Sequence, residues 1–384
     1  MSQIVYICLA KFESFIYILF LVFMYPSKLI SFFTFISLGS LAVFSGCDVD
    51  KKREKPSLDS KGEFAEVLLV MDTNQWRGEL GESLKMLFQE DMPGLPQDEP
   101  WFKVLLIPPN AFKSFLQRHH NVIIVATNDN QTSVGSQMRG LLTEDVRRKM
   151  KQESSLAFSV YADMFAKGQK VLIIGGSTEA KLAAQINANK LTLRNLFLNN
   201  ERLRMQNKLF AAGEQTKLSD FILRKHKLNL RVPAGYDVAK DERKFIWIRN
   251  MEEPADRSIY ITYLPYTNEK MFDIENIIAL RDSIGYVHLN DTTLKDSYMS
   301  TERLVMPVEN RMTVDGEFLA EYRGLWKLKN GTRGGAFLSY AFVDKKLRRM
   351  YYIEAFLYAP STQKRKYILE LESILRTFKR SEGA

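Results

Sequence analysis

Polar side chains that could carry acid–base chemistry or bind a ligand follow the apolar runs in the first half of the chain. Carboxylates can move protons, while amides and hydroxyls can orient a substrate. If the apolar runs are parallel strands, their carboxyl ends share one edge of a sheet, and ligands gather at such edges. We therefore predict a candidate polar pocket formed by Asp72, Asn74, Asp129 and Ser177.

A structural role for these polar positions competes with the pocket. A helix that follows a strand needs a side-chain oxygen at its N-cap, and Asn74, Asn110 and Ser177 stand where such caps are expected. The segment Gly175-Gly176-Ser177 has neither the spacing of a dinucleotide fingerprint nor that of a P-loop, so no nucleotide is predicted. From the sequence alone, both interpretations, a ligand pocket and a set of helix N-caps, remain open.

Other catalytic patterns are missing from the sequence. The four histidines form no HExxH motif and no pair at helical spacing, and there is no G-x-S-x-G elbow. Asp98 and Glu99 near Trp101 could act as an acid–base pair, but the neighbouring Pro96 and Pro100 favour a rigid loop. We predict no metal and no cofactor, and the sequence favours a protein that is not an enzyme.

The first half, residues 63–226, alternates apolar runs with helical patterns. The runs are long enough for strands buried on both faces, as in a parallel sheet. They cover residues 66–71, 102–107, 122–126 and 171–174, and a short helix is predicted over residues 111–119. This half is predicted to be an α/β domain built on a mostly parallel βαβ sheet.

One long helix, or two continuous ones, is predicted over residues 177–213. Its arginines include Arg194, Arg202 and Arg204. A basic helix could touch anionic lipid. The preferred interpretation is a solvated face above a core.

The second half, residues 227–384, has the pattern of an antiparallel sheet with helices. Alternating runs at residues 318–328 and 336–343 flank Asn330-Gly331, which is a strong hairpin signal. Further runs at 244–248, 259–263 and 351–358 suit half-buried strands, with helices near 272–283 and after Pro360. This half is predicted to be an α+β domain.

The start of the chain has the pattern of a bacterial lipoprotein signal. An apolar segment ends in Ser45-Gly46-Cys47, and a charged stretch follows at once. The chain has two cysteines, Cys8 and Cys47, so cleavage before Cys47 leaves a single thiol for a lipid. We predict a signal segment at residues 1–46 and a lipidated tether at 47–62, which is too polar to fold alone.

The predicted leader is longer than usual, which points to a true start at Met24. Residues 15–25 form a second apolar run, but neither run reaches the roughly 20 apolar residues of a membrane span. A single uncleaved anchor built from residues 29–46 remains as an alternative.

Several motifs together resemble a bacteroidete lipoprotein family, domain of unknown function 4837. The motifs are GLPQDEP at residues 94–100, RGLW at 323–326, GGAFLSY at 334–340, YAP at 358–360 and KRKY at 364–367. The resemblance implies an exported, lipid-anchored envelope protein. It brings no activity and no catalytic residues.

The predicted lipoprotein signal and the composition together favour a binding or scaffolding protein of the bacterial cell envelope. We expect it to be anchored by lipid on Cys47 and located at the outer membrane. The net charge of +9 favours an anionic glycan or lipid, or an envelope protein, as partner, and no nucleic acid is predicted. The alternative is an envelope hydrolase that acts on cell-wall or lipid material through the strand-end pocket.

Overall fold

The computed structural model describes residues 56, 58–152, 156–291, 293–314 and 316–380. The predicted signal segment, Met24 and Cys47 lie outside these ranges. The last part of the predicted tether is held by backbone hydrogen bonds: the Ser60 amide donates to Lys167 at 2.9 Å, and the Lys61 amide donates to Arg118 at 2.8 Å. Such bonds need no apolar side chain, so a polar segment joins the fold.

The first sheet has five strands, and four of them run parallel. The strands are Glu66–Val70 (β1), Lys103–Ile107 (β2), Asn121–Thr127 (β3), Ala157–Ala162 (β4) and Lys170–Gly176 (β5). Their order is β2-β1-β3-β5-β4, and β4 joins β5 antiparallel. Every residue of β1 and β3 is buried, which explains their unbroken apolar pattern. The predicted α/β class is confirmed for this part.

Seven α-helices accompany this sheet within the described residues. They are Thr73–Trp76 (α1), Glu79–Phe88 (α2), Ser133–Gly140 (α3), Glu144–Gln152 (α4), Glu179–Ala188 (α5), Lys190–Ala211 (α6) and Thr216–His226 (α7). The prediction of a short helix over residues 111–119 is wrong. The structure has two short 3-10 turns there, Pro109–Ala111 and Leu116–Arg118. Pro108 and Pro109 donate no backbone hydrogen bond and so oppose a regular helix there.

The second large sheet is antiparallel and has nine strands. Its order is β10-β11-β13-β14-β15-β9-β8-β7, and β12 lies beside the first part of β13. Two short strands, β6 and β16, pair with each other separately. The strands are Leu228–Asn229 (β6), Asp237–Asp241 (β7), Phe245–Asn250 (β8), Asp256–Pro265 (β9), Asn290–Asp291 (β10), Ser297–Thr301 (β11), Val308–Val314 (β12), Glu317–Leu328 (β13), Gly334–Asp344 (β14), Arg349–Tyr358 (β15) and Lys379–Arg380 (β16). The predicted α+β class is confirmed for this part.

Helices Ile274–His288 (α8) and Arg365–Leu375 (α9) cover the two faces of the antiparallel sheet. Side chains alternate along each strand, so Tyr351 and Ile353 enter one core and Tyr352 enters the other. The first of these cores continues into the parallel sheet through residues such as Leu69 and Ile123. The domain boundaries at 62/63 and 226/227 stay predictions; the second lies between the two large sheets.

A buried ionic cluster joins α6 to α9 and β13. The Glu372 carboxylate is fully buried and lies 2.7 Å from an Arg202 nitrogen and 2.9 Å from an Arg323 nitrogen. Burial raises its pKa, but the positive charges of Arg202, Arg323 and Arg376 prevail and hold the pKa well below its usual range. Arg202 is itself buried. The prediction that this face of the helix is solvated is therefore wrong at Arg202.

The same correction applies to Arg194, about two turns earlier on α6. Arg194 is buried and donates to the Leu87 carbonyl at 2.8 Å and to the Glu90 carboxylate. Its guanidinium also lies 5.7 Å from the centre of the Trp101 ring. Two of the three predicted surface arginines thus hold the core together.

Candidate functional site

The strand-end residues of the parallel sheet do lie near one another, and their polar atoms form structural hydrogen bonds. Asp72 is buried and caps α1, because its Oδ1 accepts the Asn74 amide at 2.9 Å. Its Oδ2 accepts the Asn130 side-chain amide at 2.8 Å, which ties the end of β1 to the loop after β3. The Asn74 side chain is exposed. The buried carboxylate is thus committed to the loop rather than presented to solvent.

Asp129 has a similar role at the start of α5. Its Oδ2 accepts the Glu179 amide at 2.9 Å, and Thr178 caps the same helix by accepting the Lys181 amide at 3.3 Å. Ser177 precedes this cap and is half-buried. Capping therefore does occur at the strand ends, but Asp72, Asp129 and Thr178 supply it.

The residues proposed as caps from the sequence do not serve in that way. Asn74 lies inside α1, and Asn110 lies inside the turn Pro109–Ala111, whose N-cap is Pro108. Thr178 rather than Ser177 is the cap of α5. The error is one or two residues at each position, since the apolar pattern does not mark the last extended residue.

Glu99 caps a helix that is distant in sequence. Its two carboxylate oxygens accept the amides of Lys364 at 2.7 Å and Arg365 at 2.9 Å, at the beginning of α9. Glu99 is buried, whereas Asp98 is exposed. These two carboxylates therefore do not converge as an acid–base pair, and Glu99 stabilises the helix N-terminus electrostatically.

A hydroxyl, an amine and a carboxylate meet between α4 and β4. Lys149 Nζ donates to Ser159 Oγ at 3.0 Å and lies 2.8 Å from Asp145 Oδ2, and the serine hydroxyl donates to the same carboxylate. The hydrogen bonds from Lys149 and Ser159 lower the pKa of Asp145 to about 2. The serine hydroxyl is therefore hydrogen-bonded to a carboxylate that is ionised at neutral pH.

The face of the antiparallel sheet beneath α8 carries a buried ion pair. Arg281 of α8 donates to Glu354 of β15 with N–O distances of 2.9 to 3.1 Å, and Tyr352 donates to Glu354 at 2.7 Å. Burial lowers the pKa of Arg281, but the Glu354 carboxylate outweighs it and the pKa is raised. The Arg281 guanidinium lies 4.1 Å from the centre of the Phe337 ring. The pair positions α8 against the sheet.

A cleft opens on the same face where α8 ends. It has a volume of about 330 Å³ and is lined by strands β8, β9, β11, β13 and β15 and by the segment after α8. Its floor is apolar, its rim carries charge, and it is within the size range of small-molecule sites, about 300–1,000 Å³. The floor includes Leu289, Met299, Trp326, Leu328 and Phe356, and the rim includes Trp247, Arg249, Asp256, Arg333 and Tyr358.

The two arginines of the cleft are each placed over an aromatic ring. The Arg249 guanidinium lies 5.3 Å from the centre of Trp247, and the Arg333 guanidinium lies 5.8 Å from the centre of Tyr358. Arg249 also pairs with Asp256 at 3.4 Å. Within the described ranges no carboxylate pairs with Arg333, which is exposed. Stacking on a ring holds a guanidinium while its donor edges stay available.

Two buried polar atoms of cleft residues, Trp247 Nε1 and Arg249 Nε, have no hydrogen-bond partner among the described residues. The indole Nε1 of Trp247 is buried and finds no acceptor among the described residues. The indole of Trp326, by contrast, donates to the Leu357 carbonyl at 3.1 Å. An unpaired buried donor costs free energy, so a ligand acceptor at this point would be favourable.

A second cavity, of about 410 Å³, lies at the other end of the sheet beside Phe272 and Phe318. Its cations are matched by carboxylates, because Arg311 lies 3.2 Å from Asp273 and Lys345 lies 3.2 Å from Glu317. The cleft with Arg333 is the better candidate, since it retains a cation for a ligand.

Sequence reasoning missed this cleft because its lining comes from six separate segments. The available signals were the alternation that places Trp247 with Arg249, and Phe356 with Tyr358, on one face of their strands. Neither pair indicates a cleft without knowledge of the strand order.

The described residues hold no group of three His, Cys, Asp or Glu side chains that could ligate a metal ion. Among the helices in those same ranges, none combines the length and hydropathy needed to cross a bilayer.

The described residues form an α/β part and an α+β part, each built on one large sheet, and the antiparallel sheet carries a ligand-sized cleft. Residues 215–377 match the model of the family described as Domain of unknown function (DUF4837). Residues 60–210 match a second model, Domain of unknown function (DUF8532). The predicted family is confirmed; four of its five motifs fall within 215–377, and the motif at 94–100 falls within the second match.

Solved structures with matching segments are only weakly similar. The Ran-binding protein Mog1p of Saccharomyces cerevisiae has 13% identity and a TM-score of 0.26 over 40% of this chain and 90% of its own. Human STARD10 has 7% identity and a TM-score of 0.20 over 42% of this chain and 74% of its own. Such scores support no conclusion about function. No curated protein matches the chain.

Proposed function

We propose that the protein is a lipid-anchored lipoprotein of the bacterial cell envelope that binds an anionic envelope component. The component would bind in the cleft of about 330 Å³ at the end of α8, named here the α8-end cleft. The cleft carries the proposal, because it combines an apolar floor with Arg249 and Arg333 at its rim. The polar constellations elsewhere, at Asp72 and at Ser159, are committed to hydrogen bonds within the fold. Binding is therefore favoured over catalysis.

The anchor is proposed at Cys47, with the outer membrane as its expected site. The support is the apolar segment that ends in Ser45-Gly46-Cys47. Mass spectrometry of the protein from its native membrane is expected to show an acylated Cys47 at the N-terminus, and Cys47→Ser is expected to abolish this acylation. An intact residue 1 without acylation would contradict the anchor.

The binding role is tested in cells with a photoreactive amino acid at Tyr358, beside the cleft. The matched control carries it at Lys346, which is exposed on the hairpin between β14 and β15. We expect a discrete cross-linked envelope component from position 358 that is absent from position 346 and is reduced by Arg333→Gln. Identical products from both positions would contradict binding in the cleft.

The alternative, an envelope hydrolase with a site at the strand ends, is tested separately. Asp72→Asn and Asp129→Asn remove the carboxylates while keeping their size. The hydrolase predicts loss of cell-wall or lipid turnover in both variants at unchanged fold. The binding role predicts that turnover stays as in the wild type.

A further inference from the structure

We propose that the ligand of the α8-end cleft is a small amphiphilic monoanion, a carboxylate carried on an apolar chain or ring. This inference rests on the proposed binding function and specifies its ligand class. It follows from the separation of apolar floor and charged rim within one cavity of about 330 Å³.

The floor requires an apolar body. Trp326 and Phe356 are buried and contact each other edge to face, with ring centres 5.8 Å apart. Met299 and Leu289 complete this surface and are also buried. A ligand made only of hydroxyl groups would lose its hydration here without gaining hydrogen bonds, which is unfavourable. An alkyl or ring carbon skeleton would gain by leaving water.

The rim requires an anion. Arg249 and Arg333 are the cations of the lining and Asp256 is its carboxylate, so the lining carries a formal charge of +1. Asp256 already pairs with Arg249, and Arg333 retains its donors. A single carboxylate would neutralise the cleft and can accept two parallel hydrogen bonds from one guanidinium. A dianionic phosphate would leave excess negative charge beside Asp256.

The buried indole N–H of Trp247 supplies a further donor. It has no acceptor among the described residues and belongs to the ring on which Arg249 stacks. The donor also favours an acceptor group over a hydrocarbon alone.

The test compares four probes with the full chain in lipid nanodiscs, with empty nanodiscs as the blank. Hexanoate has both charge and an apolar body, hexanol lacks the charge, acetate lacks the body, and glucuronate has a polar body of equal carbon number. Equilibrium dialysis measures binding, and quenching of tryptophan fluorescence reports the cleft through Trp247 and Trp326. We expect hexanoate to bind at least tenfold more tightly than each of the other three.

Two variants separate the two halves of the site. Arg333→Gln is expected to weaken hexanoate at least fivefold and to leave hexanol unchanged, while Leu328→Ala on the half-buried floor is expected to weaken both. Lys346→Gln removes the same charge far from the cleft and is expected to change neither.

Absence of saturable hexanoate binding to the folded protein, or tighter binding of glucuronate, would overturn the amphiphilic ligand. If either of these results were found together with a cross-link from position 358 in cells, the ligand class would be wrong but the proposed binding function would still be supported. Hexanoate binding without any cross-link from position 358 would support the ligand class and remove the envelope component as partner.

Discussion

Gly94 lies against Gly324 so closely that a Cβ atom on Gly94 would come within 2.7 Å of the Gly324 backbone nitrogen. Gly94 also has a φ of +78°, in the left-handed region that favours glycine. The two glycines belong to the motifs at residues 94–100 and 323–326, so these motifs meet in space. Their contact is part of the join between the first half of the chain and the antiparallel sheet.

Gly94→Ala is expected to lower the free energy of unfolding by about 2–4 kcal/mol, since backbone strain and a steric clash act together. Urea unfolding followed by circular dichroism measures the change. The control is Gly316→Ala, because Gly316 has a similar φ of +80° but open space around its Cβ position. Equal losses in the two variants would show that the contact with Gly324 has no energetic role.

Glu99→Ala is expected to destabilise the protein by about 1–3 kcal/mol, since it leaves the amides of Lys364 and Arg365 at the start of α9 without their acceptor. Hydrogen exchange should increase first at α9. Asp98→Ala changes a neighbouring exposed carboxylate and is expected to have little effect. A uniform rise in exchange over the whole chain would argue against a local capping role.

Arg281→Met is expected to cost about 3–5 kcal/mol, because it leaves the buried Glu354 carboxylate without its cation. The double variant Arg281→Met with Glu354→Leu removes both charges and is expected to recover most of that loss. Urea unfolding of wild type, both single variants and the double variant forms the cycle. Additive losses would mean that the two side chains do not stabilise each other.

Stability is expected to fall when the pH drops from 7 to 5, and His120 is one cause. Burial, with Arg204 and His119 nearby, lowers the pKa of His120 to about 4. The unfolded chain therefore takes up a proton near pH 6.5 that the folded chain takes up only near pH 4. Stability from this group is complete above pH 6.5 and is lost as the pH falls toward 4.

His120 is expected to account for a loss of unfolding free energy on the order of 2 kcal/mol between pH 7 and pH 5. Unfolding free energies of wild type and His120→Gln at both values measure it, and the variant should show a smaller drop. His226 and His288 also have lowered pKa values, so they are expected to contribute to the drop in both proteins. An unchanged pH dependence in the variant would exclude His120 as a cause.

The fold class could be predicted because periodic apolar patterns are local. Strands β1 and β3 are buried on both faces and have unbroken apolar runs, and Asn330 adopts a φ of +56° in the turn before β14, as its Asn-Gly sequence favours. Strand β4 was missed, because its burial is partial and the strand joins the sheet antiparallel at the edge.

The partners of the buried arginines could not be predicted in the same way. Arg194 pairs with Glu90, and Arg202 pairs with Glu372, so the two partners are 104 and 170 residues away. In sequence these arginines have the spacing of an exposed helix face. Only the packing of α6 against α2 and α9 makes them internal. The cleft could not be predicted either, because its lining residues are also far apart in sequence.

The capping of α9 by Glu99 has a consequence for how the chain is made. Helix α9 is synthesised after both large sheets, yet it occupies a site prepared by a residue from the first half and packs into the core that both sheets share. A nascent chain that lacks α9 therefore has no cover for the apolar surface on which this helix packs. A nonsense mutation before residue 365 is therefore expected to yield a product that is degraded rather than a shorter folded protein.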